Sequence, residues 1–248
     1  MARVRLTSGR GAVMLLGLWL TGCPNVNTYG TARTTPKGEL SHSISAEGFG
    51  AQIETTRVNS TGQEQEEKVH VFLPLPPSYH LRVGVADSVD LGFHVNNMSS
   101  LGFDGKLNFV KGRIDLAVDP GVQWYRYSFG TSDGSGNDTR TSVNVFYLHG
   151  PLLVDFNVNE TVSFVVAPGV EYAYVSTDAA GGSDFEVAAR SKGVFARFGL
   201  GIDIRASERF AIHPEVTVFR NFEDQASLLY MAGIGFNFGH LPSFADVK

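Results

Sequence analysis

The side chain with the most distinctive chemistry is a single thiol, that of Cys23, the only cysteine in the chain. One cysteine cannot form an internal disulfide, and its surroundings match no zinc-ligand spacing. The seven histidines show no ligand spacing either, so we expect no metal site and no cofactor. The letters G-x-S-x-G occur at residues 130–134, but in a long polar connection and not between a strand and a helix, so they do not indicate a nucleophilic serine. H-E-x-x-H does not occur, which leaves zinc-dependent hydrolysis without support. We therefore expect no catalytic residues.

The residues before this cysteine have the order of an export signal. Three arginines and no acidic residue precede Cys23, and residues 11–20 form an apolar run too short to span a bilayer. The stretch Leu20-Thr21-Gly22-Cys23 resembles the lipobox of bacterial lipoproteins. The resemblance implies that residues 1–22 are a lipoprotein signal peptide and that Cys23 receives fatty acyl chains such as palmitate.

An ordinary signal peptide with an incidental cysteine is the alternative interpretation. Pro24 follows the cysteine where an aspartate would favour retention in the inner membrane, so the resemblance favours sorting to the outer membrane. Residues 24–37 are polar and punctuated by Pro, Gly and Thr, which predicts a lipidated N-terminal tether over residues 23–37. The net charge of −5 and the lack of a basic stripe argue against nucleic-acid binding.

From residue 38 onward, apolar residues recur with a period of two. Between Val194 and Ile204 every second residue is apolar, and the residues between them are mostly polar or glycine. Alternation over this length predicts a β-strand with one apolar face. The whole chain then predicts about ten strands, at 39–50, 78–86, 89–96, 100–110, 113–128, 141–157, 161–176, 192–206, 209–220 and 227–239.

The lengths of these strands and of their connections predict how they are arranged. Several strands exceed ten residues, which suits strands that cross hydrocarbon at a tilt. Short turns alternate with longer polar connections, the latter at 51–68, 129–140, 177–191 and 221–226. This pattern predicts an all-β fold, a closed antiparallel up-and-down transmembrane β-barrel over residues 38–239. Residues 240–248 would form a C-terminal tail.

The chain at this point resembles the small outer-membrane β-barrel proteins of Gram-negative bacteria. The resemblance lies in the entry to the first strand at residues 31–38, in the first short hairpin at residues 82–92, and in the last strand, Gly233-Ile-Gly-Phe-Asn-Phe-Gly239. It implies an outer-membrane location with periplasmic termini and extracellular long loops. Such barrels often end on an aromatic residue, whereas here nine further residues follow Gly239.

The polar faces of the strands are expected to line the lumen. The polar residues assigned to the lumen are His80, Arg82, Asp90, His94, Asp104, Lys106, Glu171, Arg197, Asp203, Arg205 and Glu215. Both signs of charge are present, and a barrel of about ten strands is narrow, so we expect ion pairs to fill most of it. A narrow conduit or a ligand pocket is the alternative.

Two enzymatic or metal-binding alternatives have little support. Surface proteases of the omptin type use paired aspartates and an Asp-His pair near the outer rim. The long loops offer the four aspartates Asp133, Asp138, Asp178 and Asp184 but no histidine among them, and His149 and His213 lie in predicted strands. The stretch at residues 133–138 is rich in Asp and Gly but lacks the downstream glutamate of an EF-hand.

Two functions follow from this pattern. The first is an outer-membrane lipoprotein with an integral barrel, which contacts outer-membrane lipid and serves as a non-enzymatic structural or surface-interaction protein or as a narrow passage. The second is a lipid-anchored periplasmic barrel or sandwich that binds a small ligand. The sidedness of the sheet separates them, because a water-soluble barrel turns its apolar face inward.

Overall fold

A computed structural model describes residues 25–58, 64–96, 100–132, 138–181, 185–222 and 228–247. Cys23 and the predicted signal peptide lie outside these residues. The strands are β1 (Leu40–Val58), β2 (Glu64–Pro74), β3 (Ser78–Ala86), β4 (Val89–Asn96), β5 (Ser100–Val110), β6 (Ile114–Val118), β7 (Gly121–Ser132), β8 (Asp138–Asn157), β9 (Val162–Gly181), β10 (Phe185–Ser207), β11 (Phe210–Asn221) and β12 (Leu228–Gly239). No described segment forms an apolar helix of membrane-spanning length.

These strand segments form a closed barrel of ten wall strands. Strands β2 and β3 pair with successive parts of β1 and act as one wall strand, broken at residues 75–77. Strands β6 and β7 pair in the same way with β8 and are broken at Asp119 and Pro120. The antiparallel pairing of β12 with β1 closes the sheet. The predicted closed antiparallel barrel of about ten strands is therefore confirmed.

As the sequence predicted, one end of the barrel has short turns and the other has long connections. The long connections, however, contain more strand than predicted. One end has short turns, for example at Asp87 and Ser88 between β3 and β4. At the other end the predicted loops at 51–68, 129–140 and 177–191 are largely paired strand, up to Val58 with Glu64 and Gly181 with Phe185. The prediction ended these strands too early because it followed hydrophobic alternation, whereas pairing continues into polar sequence.

The wall of the barrel is apolar on its outer face and polar on its inner face. Phe103, Phe164 and Leu200 are about half exposed, at 58%, 48% and 48% of their surface. Asp90 and Asp155 are fully buried. This is the reverse of a water-soluble barrel and matches the predicted inward orientation of the polar face.

Candidate functional site: the barrel lumen

The N-terminal part of the described chain lies inside the barrel. We call residues 25–35 the luminal segment. Its Val26 and Tyr29 are 1% exposed and Ala32 is not exposed at all. The segment runs towards the short-turn end, where the N–H of Gly38 donates to the carbonyl of Gly84 at 2.7 Å. The sequence predicted a tether outside the barrel, and for these residues that prediction is wrong.

Carboxylates of the wall accept hydrogen bonds from the main chain of the luminal segment. Glu215 on β11 accepts from the N–H groups of Thr28, at 3.0 Å, and Tyr29, at 2.7 Å. Asp155 on β8 accepts from the N–H of Ala32 at 2.7 Å. Asp90 on β4 accepts likewise from the N–H of Thr35 at 2.9 Å. The segment has no partner strand here, so these side chains satisfy N–H groups that would otherwise be buried without a partner.

Wall amides and one lysine satisfy the carbonyls of the same segment. Lys106 donates through Nζ to the carbonyl of Thr31 at 2.8 Å and to that of Arg33 at 3.2 Å. Gln123 donates to the carbonyl of Asn25 at 2.7 Å and accepts from its N–H at 3.1 Å. Asn237 donates to the carbonyl of Tyr29 at 3.0 Å. The lumen thus binds both polar groups of the peptide backbone.

The side chain of Tyr29 fixes the middle of the luminal segment. Its hydroxyl donates to Glu47 on β1 at 2.9 Å, and its backbone is in the left-handed region, with φ of 46°. The ring lies against Gly233 and Gly235 on β12, and a Cβ at Gly235 would lie 2.7 Å from the Cβ of Tyr29. The glycines of the last strand therefore leave room for this ring.

Arg33 closes the short-turn end of the lumen together with the C-terminal tail. Its Nε donates to Asp115 at 2.6 Å, and its Nη1 donates to the carbonyl of Ser243 and to the carboxylate of Asp246. Two guanidinium groups lie over the ring of Phe244. The Cζ of Arg33 is 4.3 Å from the ring centroid and the Cζ of Arg205 is 3.4 Å from it. Residues 240–247, predicted as a tail, thus cover the end of the barrel.

The contact between Arg33 and Asp246 changes the pKa of the Asp246 carboxyl in the tail. The hydrogen bond from Arg33 lowers the pKa of the Asp246 carboxyl below its ordinary value. Asp246 is half exposed, at 51% of its side chain, whereas Arg33 is buried. The charge pair therefore joins a surface residue of the tail to the luminal segment.

The structure places all of the sequence-predicted lumen residues inside the barrel. Eight are buried, and His80, Arg82 and Asp104 are half-buried. Arg82 pairs with Asp90, Asp104 and Asp119, the last at 2.8 Å. Lys106 binds the luminal segment, and the other predicted residues form smaller groups. Arg197 lies 3.4 Å from Glu171 and 3.9 Å from Glu215, Arg205 lies 2.7 Å from Asp203, and the rings of His80 and His94 are 5.0 Å apart.

The prediction omitted several residues that bind the luminal segment. They are Glu47, Asp115, Gln123, Asp155 and Asn237. Each lies on the inward face by the period-two alternation, so that signal was present in the sequence. What the alternation could not show was their partner, because residues 25–35 were assigned to a tether.

Small cavities remain within the filled lumen. One of about 20 Å³ lies between the luminal segment and the wall, lined by His80, His94, His149, Arg82 and Arg197 among others. A cavity of this size holds about one water molecule. Among the described residues, no group of three or more His, Cys, Asp or Glu side chains could hold a metal ion.

The residues considered for omptin-type proteolysis do not assemble in the described part of the chain. His213 is fully buried in the lumen, beside Asp203 at 3.3 Å. His149 lines the lumen cavity. Asp133 and Asp184, and the stretch considered for calcium, lie outside the described residues or have undescribed side chains.

Comparisons with known proteins identify similar barrels but no family. No family model and no curated protein matches the chain. Solved structures that are similar include the outer-membrane protease OmpT from Escherichia coli, with 7% identity and a TM-score of 0.48 over 83% of this chain and 98% of OmpT. The translocator domain of the autotransporter NalP from Neisseria meningitidis has 13% identity and a TM-score of 0.46 over 92% of this chain and 96% of that domain. Ail, the attachment invasion locus protein of Yersinia pestis, has 14% identity and a TM-score of 0.38 over 82% of this chain and 99% of Ail. These likenesses carry no argument about function.

Proposed function

We propose that this protein is an integral barrel of the outer membrane of a Gram-negative bacterium, with a structural or surface-interaction role and no enzymatic activity. The observation that carries the proposal is the sidedness of the wall. Outward side chains such as Phe103 and Leu200 are apolar and exposed, whereas charged residues fill the interior. Exposure of so much apolar surface is stable only against hydrocarbon or a partner.

The same sidedness argues against a lipid-anchored periplasmic module that binds a small ligand inside. Such a module would need an apolar interior and a solvated exterior. Here Asp155 and Glu171 are fully buried inside and Phe164 is exposed outside.

The filled lumen argues against an open passage. The luminal segment occupies the interior, and Arg33 and Phe244 close the short-turn end. An apolar group that includes Val26, Phe49, Tyr147, Phe219 and Met231 packs across the other part of the lumen. We therefore propose that the barrel as described is sealed.

The orientation and the lipid belong to the same proposal. The paired hairpins beyond Gln52 and Ser176 lie at the end opposite the short turns and would face the outside, which gives a surface for interaction. The short turns and the C-terminal tail would face the periplasm. Lipidation of Cys23 is supported by the lipobox resemblance alone.

A membrane wash tests integral insertion. Outer-membrane fractions from cells that export the Cys23→Ala variant are treated with carbonate, beside fractions from wild-type cells. We expect the variant to stay in the membrane as fully as the wild type. Its release into the wash would contradict the integral barrel.

Lipidation is tested separately by metabolic labelling with palmitate. We expect label in the wild-type protein and none in Cys23→Ala. If neither the wild type nor the variant were labelled, the lipidation proposal would be wrong, whereas the barrel proposal would be unaffected.

A further inference from the structure

The wall of the lumen binds the backbone of the luminal segment as well as its side chains. Among the described residues, five of its N–H groups and four of its carbonyls bond to wall side chains. The wall partners are Asp90, Lys106, Gln123, Asp155, Glu215 and Asn237, each on a different strand. We propose that the lumen is a binding site for a polypeptide segment without regular secondary structure and that residues 25–35 are its built-in, replaceable ligand.

Backbone recognition makes such a site tolerant of sequence. Every polypeptide carries N–H and carbonyl groups with the same spacing, so main-chain hydrogen bonds supply affinity without selecting side chains. Because the partners come from side chains of six strands rather than from one sheet edge, the peptide is bound along its length within the closed barrel.

Several side chains of the segment bond to the wall and add selectivity, among them Asn25 and Thr28, which donate to Glu47 and Glu215. The guanidinium of Arg33 fits between Asp115 and the tail, with Nε 2.6 Å from Asp115. The hydroxyl of Tyr29, four residues earlier, donates to Glu47. The preferred ligand is therefore a peptide with an aromatic hydroxyl followed four residues later by an arginine.

The charge of the wall also defines the class of ligand. Five of the wall residues that bind the segment are carboxylates, namely Glu47, Asp90, Asp115, Asp155 and Glu215. Lys106 is the cation that binds its backbone within the described residues. A cationic peptide is favoured over an acidic one, since acidic side chains would face these carboxylates.

The connection between the segment and the wall permits exchange. Lys37 and Gly38 are exposed, and Gly38 has φ of +80°. The segment is thus linked to β1 through two solvent-accessible residues, which the hydrogen bond from Gly38 to Gly84 fixes to the wall.

The predicted lipid gives a second reason to expect exchange, and this step rests on the proposed function. Cys23 lies outside the described residues, but two residues of extended chain span at most about 7 Å. Asn25 bonds to Gln123, ten residues beyond Arg113 in the short turn, which corresponds to roughly 25 Å along a typically tilted barrel. A lipid in the leaflet on the short-turn side therefore requires the segment to leave the lumen.

The test uses the full chain with a specific protease site inserted between Lys37 and Gly38. The folded barrel is purified in detergent and cleaved, and a labelled peptide of residues 24–37 is added. We expect the peptide to replace the cleaved segment and to bind saturably while the barrel keeps its strand circular dichroism. Retention of the original segment against excess peptide, or its departure without peptide binding, would overturn the proposal.

Matched peptides test how the ligand is recognised. N-methylation of Ala32 removes the N–H that Asp155 accepts, and Arg33→Ala removes the guanidinium, so each should weaken binding at least about tenfold. Thr31→Ala keeps the bonded carbonyl of Thr31 and should bind like the native peptide. Equal binding of all four peptides would contradict recognition by backbone and arginine.

An uncleaved variant covers the case in which cleavage destabilises the barrel. In a Cys23→Ala background, Thr34→Cys places a thiol at a buried position of the segment. We expect labelling by a water-soluble maleimide to rise several-fold when excess native peptide is added. Labelling that stays constant up to saturating peptide would contradict exchange. These measurements are made on the barrel in detergent. A negative result would contradict peptide binding in the lumen, whereas release in the carbonate wash would contradict membrane insertion.

Discussion

The carboxylate of Glu215 accepts the main-chain N–H of Tyr29 at 2.7 Å, across 186 residues of sequence. This bond joins the next-to-last strand of the barrel to a segment that precedes the first strand. It also places a buried charge where it meets two backbone donors, those of Thr28 and Tyr29. Charged residues of the lumen therefore serve the binding of the chain's own backbone as well as ion pairing with each other.

Replacing Glu215 by alanine should loosen the luminal segment. Two buried N–H groups would lose their acceptor, at a cost of about 1–3 kcal/mol each. We expect limited proteolysis within residues 25–35 to become faster, and denaturant unfolding to shift to lower concentration. Glu208→Ala, in an exposed turn, should behave like the wild type. Equal protease resistance of the two variants would show that Glu215 does not hold the segment.

Enlarging a glycine beneath Tyr29 should displace the same segment. Gly235→Ala would bring a Cβ within 2.7 Å of the Cβ of Tyr29, and overpacking of this kind costs about 1–3 kcal/mol. The matched variant is Gly105→Ala, where the new Cβ would have Leu91 at an ordinary 3.5 Å. We expect only Gly235→Ala to increase labelling of a cysteine placed at Thr34, in a Cys23→Ala background. The same labelling for both variants would contradict close packing of Tyr29 on this strand.

The assignment of the outer face predicts a sharp difference between two arginine substitutions on β10. Leu200→Arg places a charge in the apolar outer surface, which costs about 2–4 kcal/mol if that surface faces the middle of a bilayer. Ser207→Arg places the charge at the end of the strand beside a short turn. Assembly into the outer membrane, measured by resistance to carbonate, should fail only for Leu200→Arg. Normal assembly of both would mean that Leu200 does not face hydrocarbon.

Docking of the C-terminal tail should depend on pH. The pKa of Asp246 is lowered by the hydrogen bond from Arg33. The stabilisation of the docked tail by ionised Asp246 is therefore complete above the ordinary aspartate pKa of about 3.9. It is lost as pH falls through the lowered pKa of Asp246. We expect the NMR signals of the Phe244 ring to stay those of the docked tail from pH 7 to about 4 and to change below that. The Asp246→Asn variant lacks this titrating carboxyl. If the Phe244 signals of that variant changed over the same pH range, the change would belong to another group.

The faces and the number of wall strands could be predicted from the sequence because both depend on local order. The alternation from Val194 to Ile204 fixes which side chains share a face, and it correctly put Arg197 and Asp203 inside. The same rule applies to Asp155 and Gln123, which the prediction did not include. It ended the hairpins too early, because polar strands beyond the apolar surface carry no hydrophobic signal.

The sequence by itself determined the wall strands and their polar inner face, since a period of two is a property of each strand alone. The tertiary structure decided what that interior binds. Residues 25–35 are polar and lack periodicity, so nothing local distinguishes a tether in water from a peptide inside a lumen. The distinction depends on Glu215, Asp155 and Lys106, which come together only when β12 pairs with β1 and closes the wall. The position of the N-terminal segment inside the lumen therefore depends on the long-range closure of the barrel and not on the local propensity of its residues.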